Sequence, residues 1–263
     1  MLKKMVASVR HVLPQVLFLL GGVLLWQTLY EAKVWSPLLF PSLGEIRQSF
    51  ITSFTVNKFF DAILYSLSLL TRGLLLGIGI ALLLSGLSII SKSVYRIYNM
   101  LVSMFDLIPG VALFPLAILW FGTGEATIIF IVVHSVVWPM SRSIIDGFNS
   151  IPGIYLEAGA NIGLKGPALV YGVYLPASFP RILSGIKVGW ARAWRGLMSA
   201  EMVFGATSAG AGIGFYIQYR RSFMDSAGLY VALIVIIIIG VVVEYGVFRV
   251  IENKTIKKWG MYR

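Results

Sequence analysis

Residues 226–243 read SAGLYVALIVIIIIGVVV, a run of consecutive residues without a charged side chain. As an α-helix this run would extend roughly 27 Å, close to the roughly 30 Å hydrocarbon core of a bilayer. Other uncharged apolar runs of comparable length lie at 12–30, 73–91, 107–124 and 126–141. Of the 263 residues, 58% are hydrophobic and only 13% are charged, whereas about a quarter of a typical soluble domain is charged. The sequence therefore predicts an all-α integral membrane protein.

The interval 181–219 is harder to interpret. Arg192, Arg195 and Glu201 interrupt one candidate helix there, and a cluster of glycines weakens the other. We expect one crossing in this interval, which brings the total to about six transmembrane helices. An even number of crossings places both termini on the same side of the membrane.

Basic residues indicate which side that is. Most of the 22 Lys and Arg residues fall on the side of the two termini, and short loops rich in Lys and Arg stay in the cytoplasm. The sequence therefore predicts a cytoplasmic N-terminal segment, 1–11, and a cytoplasmic C-terminal tail, about 249–263. This topology also accounts for the net charge of +11. No basic stripe with interleaved aromatic residues accompanies that charge, so membrane lipid is an expected partner and nucleic acid is not.

The residue types that several chemistries require are missing. Cysteine is absent and only two histidines occur, so disulfides and thiolate sites are excluded and no metal site is predicted. The pattern G-x-x-x-x-G-K-[ST] does not occur either, so the chain cannot by itself hold ATP in a P-loop. We expect a chain that is not an enzyme and holds no cofactor.

Two segments outside the apolar runs have local patterns of their own. Ser42-Leu43-Gly44-Glu45 matches a capping box, and the apolar residues after it predict an amphipathic helix along the outer interface. A cytoplasmic stretch, about 146–183, contains four prolines, which favour short helices joined by sharp turns. Loops of this length are rarely mere connections, so we expect this one to be functional.

The cytoplasmic stretch contains Glu157-Ala158-Gly159-Ala160-Asn161-Ile162-Gly163 and, further on, Leu175-Pro176. This pattern resembles the EAA loop of binding-protein-dependent ABC importer permeases. That loop has Glu-Ala-Ala, a glycine four residues after the last alanine, and a later Leu-Pro. Gly159 departs from the family pattern, which has its second alanine at this position. A glycine there lowers the local helix propensity.

The resemblance covers roughly residues 35–250. Further matching residues are Phe40-Pro41-Ser42, Ser66, Arg72, Ile108-Pro109, 115–122, Gly185-Ile186-Lys187, Ala193-Trp194, Ala200-Glu201 and Gly212-Ile213-Gly214. Together they are similar to the permease branch that serves nitrate, taurine, aliphatic sulfonates, bicarbonate and related small, often anionic solutes.

The resemblance implies a single transmembrane permease domain, 1–263, of type I ABC importer architecture in a bacterial inner membrane. It also implies three kinds of partner: a second copy of the chain in a homodimer, two cytoplasmic ABC ATPase subunits that bind ATP and Mg, and an external solute-binding protein. An ion-coupled secondary transporter and a membrane-embedded enzyme are alternatives. No inverted repeat supports the first and no cluster of catalytic side chains supports the second.

A coupling surface for the ATPase is assigned to Tyr155, Leu156, Glu157, Ala158, Gly159, Ile162, Gly163, Leu175 and Pro176. Its small residues would allow two backbones to approach closely, and its apolar residues would anchor the interface. Glu157, expected near the start of a helix, would complement the helix dipole and meet a partner arginine. The alternative is an amphipathic helix lying on lipid headgroups.

Candidates for the translocation path are Pro109, Trp120, Arg192, Arg195 and Glu201. Charges at bilayer depth are costly and normally face protein or water. Arg192 and Arg195 share a helix face. Either one of them lines the path and favours an anion, or both lie near the cytoplasmic interface, where they snorkel or pair with Asp146 or the loop. Pro109 should bend the third crossing, and Trp120 is either an outer gate or part of an aromatic belt. Glu201 could bond to the backbone of the glycine-rich turn that follows it.

Two other polar side chains are expected to have structural roles. Arg72 should bond to a neighbouring helix rather than contact the solute. His134 lies in an apolar run, where a hydrogen-bonded packing role is expected rather than a proton relay.

Overall fold

The computed structural model describes residues 2–89, 91–258 and 260, and for 2–12 it describes the backbone alone. Met1, Ile90, Trp259 and 261–263 lie outside the described residues. Parts of the two segments that the sequence assigned to the cytoplasm are therefore not described.

Helices make up most of the described chain, and the only β-pairing described within 2–89, 91–258 and 260 is one isolated bridge between Thr207 and Gly210. The helices are α1 Leu2–Glu31, α2 Leu43–Thr55, α3 Phe59–Ser88, α4 Lys92–Phe105, α5 Phe114–Phe121, α6 Glu125–Asn149, α7 Gly153–Asn161, α8 Pro167–Leu169, α9 Leu175–Phe204, α10 Ile213–Ser222, α11 Ser226–Val241 and α12 Arg249–Lys254. A 3-10 turn, Gly110–Leu113, precedes α5, and π-helical segments at Val170–Tyr174 and Val242–Phe248 precede α9 and α12. The all-α prediction is confirmed.

The chain forms two compact units. Their bounds are Met1–Phe59 with Ile217–Ile236, and Phe60–Tyr216 with Ile237–Arg263. In the first unit, Trp26 of α1 anchors the turn that follows this helix. Its ring stacks on Phe40 at 4.0 Å and meets the edge of Tyr230 at 4.9 Å, measured between ring centroids. Its Nε1 donates to the carbonyl of Pro41 at 3.0 Å, which fixes the chain just before α2.

The capping box predicted at the start of α2 is confirmed. Ser42 Oγ accepts from the backbone N–H of Glu45 at 3.1 Å, and Glu45 Oε2 accepts from the backbone N–H of Ser42 at 2.7 Å. The two residues thereby satisfy donors that a helix start leaves unpaired.

In the second unit, α3 packs against α6 through small residues. Gly73 and Gly77 lie one turn apart on α3. A Cβ atom on Gly73 would lie 2.7 Å from Val132 Cβ, and one on Gly77 would lie 2.7 Å from Val136 Cβ. The G-x-x-x-G spacing lets the two backbones approach closely. Lipid tails are as apolar as a leucine side chain, so helices in a membrane are held together largely by van der Waals contacts of this kind.

Helix α9 forms the most extensive helix pair of the described chain with α6. Glycines again mark the contact. A Cβ atom on Gly185 would lie 2.7 Å from Ser143 Cβ, and one on Gly189 would lie 3.4 Å from Val136 Cγ1. Val136 of α6 is therefore enclosed between Gly77 of α3 and Gly189 of α9, which places α6 at the centre of the second unit.

The third predicted crossing, 107–124, is not one continuous helix. Gly110–Phe121 follows α4 at a bend of 92°. Pro109 begins the new turn with φ −61° and ψ 132°, a conformation that suits a ring without an N–H to donate. The predicted bend at Pro109 is confirmed. Apolar composition alone does not distinguish an intact crossing from a broken one.

Four helical stretches are long and apolar enough to cross a membrane: Leu13–Glu31, Phe59–Ser88, Glu125–Asn149 and Ser226–Lys254. The bent pair of α4 with Gly110–Phe121 makes a fifth if it counts as one crossing. Helix α9 is 30 residues long but more polar, because it carries Arg181, Lys187, Arg192, Arg195 and Glu201. The structure thus gives four or five candidate crossings, and the sixth that the sequence predicts, in the interval 181–219, stays a prediction.

The glycine contact between α3 and α6 can be tested with Gly77→Leu. The new side chain would overlap Val136, and overpacking of this kind costs about 1–3 kcal/mol of stability. We expect a lower midpoint of thermal unfolding for the purified protein in detergent.

Gly79→Leu is the matched control, because nothing lies within 4 Å of a Cβ atom at Gly79. This control should be neutral or slightly stabilising, since leucine favours a helix over glycine by up to roughly 1 kcal/mol. Equal midpoints for the two variants would contradict the close contact.

Candidate functional site

A cavity of about 470 Å³ lies at the break between α4 and α5. Its wall comes from three parts of the chain: the segment 105–111, the stretch 134–139 of α6, and the stretch 192–199 of α9. Pockets that hold small molecules typically span about 300–1,000 Å³. Of the predicted path residues, Pro109, Arg192 and Arg195 line this cavity, whereas Trp120 and Glu201 do not.

Asp106 binds two arginines at the point where α4 ends. One carboxylate oxygen lies 2.5 Å from Nη1 of Arg192 on α9, and the other lies 3.3 Å from Nε of Arg142 on α6. The Asp106 side chain is only 12% exposed, whereas those of Arg192 and Arg142 are 41% and 44% exposed. Of the alternatives that the sequence left open for Arg192, an ion pair is observed, but its partner is Asp106 and not Asp146. Asp106 thus connects the break between α4 and α5 to both α9 and α6.

Arg195 lies in the same cavity but has a different environment. Its Nε donates to the carbonyl of Ala191, one turn earlier on α9, at 3.1 Å. No carboxylate lies within ion-pair distance of Arg195 among the residues that the structure describes. Its positive charge is therefore available to a ligand.

His134 and Trp138 lie one turn apart on α6 and contribute to the cavity wall. Both ring nitrogens of His134 and Nε1 of Trp138 are buried and have no hydrogen-bond partner in the described part of the chain. The expectation that His134 would be hydrogen-bonded is therefore wrong. An unsatisfied buried polar group costs roughly 1–3 kcal/mol, so such groups usually call for an explanation.

Two residues from the sequence analysis lie away from the cavity. Trp120 on α5 is 59% exposed and contacts Phe121 and Phe130 edge-on. Arg72 of α3 donates from Nη1 to Glu125 of α6 at 3.0 Å, which confirms the predicted bond to a neighbouring helix.

The cytoplasmic stretch of the prediction forms a separate short helix, α7. Helix α6 continues to Asn149 and α9 begins at Leu175, so the connection between the two long helices is shorter than the 146–183 expected. Short helices and turns fill this connection, as the prolines predicted. Leu175 and Pro176 are the first two residues of α9 rather than part of a loop, and the first turn of a helix tolerates proline.

Helix α7 exposes large apolar side chains. Ile154 is 70% exposed and Tyr155 is 56% exposed, and Ile162, just after the helix, is 77% exposed. Leu156 is half-buried, while Glu157, Ala158 and Gly163 are exposed. Glu157 is in the middle of α7, and the first turn of the helix contains no acidic residue. The argument that Glu157 complements the helix dipole is therefore wrong.

Gly159 and Gly163 have separate structural roles. Gly159 is buried, and a Cβ atom there would lie 2.8 Å from Val173 Cγ2 and 2.9 Å from Leu169 Cδ1. Gly159 thus packs against Val173 and Leu169 of its own chain. Gly163 has φ +84°, and its N–H donates to the carbonyl of Ala160 at 2.9 Å as α7 ends. Only glycine adopts this left-handed conformation without strain.

Comparison with known proteins identifies the family. Residues 73–257 match the model of the binding-protein-dependent transport system inner membrane component. The chain belongs to this family. The resemblance inferred from the Glu157–Gly163 pattern is thereby confirmed: the protein is a multi-pass membrane permease of the ABC importer type, in a family of transport proteins rather than enzymes.

Relatives of this permease are similar along most of their length. An ABC transporter permease protein of Methanocaldococcus jannaschii is 30% identical, and the match covers 89% of this chain and 87% of the relative. The taurine transport system permease protein of Escherichia coli is 27% identical, with 84% and 81% covered. An aliphatic sulfonates transport permease protein of Bacillus subtilis is 26% identical, with 89% and 83% covered.

In this permease Glu201 is the centre of a buried polar cluster at the end of α9. Only 1% of Glu201 is exposed. Its carboxylate accepts from Ser66 Oγ at 2.7 Å and from the backbone N–H of Gly214 at 2.8 Å. Ser66 Oγ in turn accepts from the N–H of Ile213 at 2.9 Å. The predicted bond from Glu201 to the glycine-rich turn is confirmed, and it anchors the start of α10.

Lys187 belongs to Gly185-Ile186-Lys187, one of the segments that resemble the permease branch. It links α9 to the C-terminal helices. Its Nζ lies 2.8 Å from Glu244 and 3.0 Å from Glu252. The nearby ring of Phe248 packs against Trp190, with centroids 6.2 Å apart. The matching Gly185-Ile186-Lys187 segment thus pairs with α6 through its glycine and with the C-terminal helices through its lysine.

Sequence reasoning missed Asp106, His134 and Trp138 as cavity residues. One signal was present, because His134 and Trp138 are four residues apart and therefore share a helical face. No pattern in the sequence shows which other segment that face meets. Asp106 gave no signal, since its two arginine partners are 36 and 86 residues away along the chain.

The cluster around Glu201 can be tested with Glu201→Ala. This change leaves Ser66 Oγ and the N–H of Gly214 without their partner, and we expect a loss of about 1–3 kcal/mol of stability. The readout is the midpoint of thermal unfolding in detergent.

Glu201→Gln retains a side-chain oxygen that can accept from Gly214, so this variant should lose less stability than Glu201→Ala. Glu31→Ala removes an exposed carboxylate and should change stability by no more than about 0.5 kcal/mol. An equal, negligible effect at Glu201 and Glu31 would rule out the structural role of the buried cluster.

Proposed function

We propose that this chain is the membrane-spanning subunit of an ATP-driven importer, and that two copies enclose one pathway for a small organic anion of the sulfonate type. Two cytoplasmic ABC ATPase subunits would bind ATP with Mg and drive the pathway between inward- and outward-facing states. An external solute-binding protein would deliver the solute. The observation that carries the proposal is the exposed apolar surface of α7 in a chain of this family.

Helix α7 is suited to docking on an ATPase. Exposed apolar side chains concentrated on one short helix mark an interaction surface more often than a bare solvent face. Helices that lie on lipid headgroups are usually rich in Lys and Arg. The connection 150–174 has Lys165 as its one basic residue, so a protein partner fits this surface better than a lipid surface. Glu157, exposed on the same helix, offers a carboxylate to a basic residue of that partner.

The proposed orientation places α7 in the cytoplasm, where ATP is available. Counted from a cytoplasmic N-terminus, the crossings before α7 are α1, α3, the bent pair and α6, and this even number returns the chain to the cytoplasmic side. The Lys and Arg bias supports the same orientation in a bacterial inner membrane, with both termini cytoplasmic.

The solute class rests on two independent observations. The names of two relatives specify taurine and aliphatic sulfonates as what those proteins transport. In this chain, the cavity at the break between α4 and α5 contains Arg195, whose charge has no acidic partner in the described part of the chain. An anionic solute fits such a cavity better than a cation does.

The coupling role of α7 can be tested with Glu157→Lys combined with Tyr155→Asp. These changes reverse one charge and place another charge in the apolar surface, so we expect at least tenfold less ATPase subunit to co-purify with the tagged chain. ATP-dependent uptake of a radiolabelled alkanesulfonate into vesicles should fall in parallel, while the amount of folded permease should not change.

Tyr219→Asp is the control, because Tyr219 is 48% exposed and belongs to α10, a different helix from the proposed surface. This variant should retain both the ATPase and uptake. If the wild-type chain purified without an ATPase and moved solute without ATP, the proposal would fail in favour of an ion-coupled secondary transporter.

A further inference from the structure

We propose that the cavity at the break between α4 and α5 is a solute site within the permease itself, and that Arg195, His134 and Trp138 bind the sulfonate group. This inference rests on the proposed function and adds to it a binding site on this chain. The site is distinct from the recognition carried out by an external binding protein.

The structure separates the two arginines that the sequence could not tell apart. Arg192 is neutralised by Asp106 at 2.5 Å, and Asp106 is held in place by Arg142. Arg195 has no such carboxylate among the described residues, and its Nε is oriented by the carbonyl of Ala191. The structure thus assigns to Arg192 the stabilisation of the break through Asp106, and to Arg195 the binding of the anion.

The charges of the cavity wall favour an anion. Two guanidinium groups and one carboxylate line it, which leaves a net charge of +1 with His134 neutral. Charged groups at bilayer depth normally face a cavity or a partner. Arg195 faces the cavity. A planar guanidinium presents several N–H donors at fixed angles to the oxygens of an oxyanion.

His134 and Trp138 would supply further hydrogen bonds. The nitrogens of both rings are enclosed in the cavity wall without a partner among the described residues. Neutral histidine has one N–H donor and indole has one, so together they match two oxygens of a sulfonate. Because these nitrogens are covered by the wall, binding requires the rings to turn toward the solute.

Two ring contacts constrain such a turn. Trp138 stacks on Phe105, with ring centroids 4.8 Å apart, at the end of α4. The His134 ring meets Trp138 edge-on at 6.0 Å. A solute that draws the Trp138 ring toward the cavity therefore also acts on Phe105, next to the break. Solute binding would in this way change the contact between Trp138 and Phe105 at the end of α4.

The test is equilibrium binding of radiolabelled ethanesulfonate to the chain as purified from its own membrane, in lipid nanodiscs, without the binding protein. We expect the wild-type protein to bind. Arg195→Gln should weaken binding at least tenfold, and Arg195→Lys, which keeps the charge, should weaken it less. Trp138→Phe keeps a ring that can stack on Phe105 but removes the N–H, so it should weaken binding about tenfold, as loss of a hydrogen bond to a charged group does.

His134→Leu should likewise weaken binding, and His134→Gln, which restores a donor, should recover part of it. Arg47→Gln on α2 and Trp120→Phe on α5 repeat the key substitutions outside the cavity and should bind like the wild-type protein. Thermal unfolding of every variant distinguishes loss of a ligand contact from loss of the fold. A structural role alone would lower the unfolding midpoint together with the affinity.

Ethanesulfonamide, which is close in shape but neutral, should not compete. Failure of the wild-type protein to bind ethanesulfonate would overturn the site, and so would unchanged affinity in both Arg195→Gln and Trp138→Phe. Equal competition by ethanesulfonamide would overturn the role of charge. Binding is measured with whichever subunits accompany the chain, so absence of an ATPase contradicts the proposed function without deciding this result.

Discussion

Close packing of α6 between α3 and α9 is the constraint on which the second unit depends. Val136 lies in van der Waals range of Gly77 on one side and Gly189 on the other, and a side chain at Gly77 would overlap it. Because lipid solvates apolar surface as well as another helix does, these helices gain little from the hydrophobic effect and rely on dense contact. Glycine permits that contact at some cost in helix propensity, which the packing offsets.

The same packing makes the cavity possible. With α6 fixed against both neighbours, the chain from α4 to α5 follows its surface and breaks at 106–109 instead of crossing as one helix. A break inside a membrane is tolerated only where its polar groups face protein or a cavity. Asp106 satisfies this condition by binding Arg142 and Arg192, and the space beside it is lined by Arg195, His134 and Trp138. The candidate site is therefore a consequence of how the break is stabilised.

Local signals in the sequence predicted local structure well. The capping box at Ser42 and Glu45, the bend at Pro109 and the turn after α9 depend on residues close together in the chain. Apart from the position of Glu157 within α7, the errors concern contacts over long separations. His134 was expected to have a hydrogen-bond partner, and Asp146 was one of the partners considered for Arg192. Each depends on which distant segment packs nearby, and periodicity does not specify that.

By itself the sequence determined that this protein is an all-α membrane permease, because apolar length, charge bias and the Glu157–Gly163 pattern are properties of contiguous residues. Only the tertiary structure decided which charges are neutralised and which are available. Arg192 and Arg195 are three residues apart on one helix and look equivalent in the sequence, yet only Arg192 meets Asp106. That difference arises because the break between α4 and α5 brings one carboxylate, 86 residues away from Arg192 along the chain, to a single position on α9.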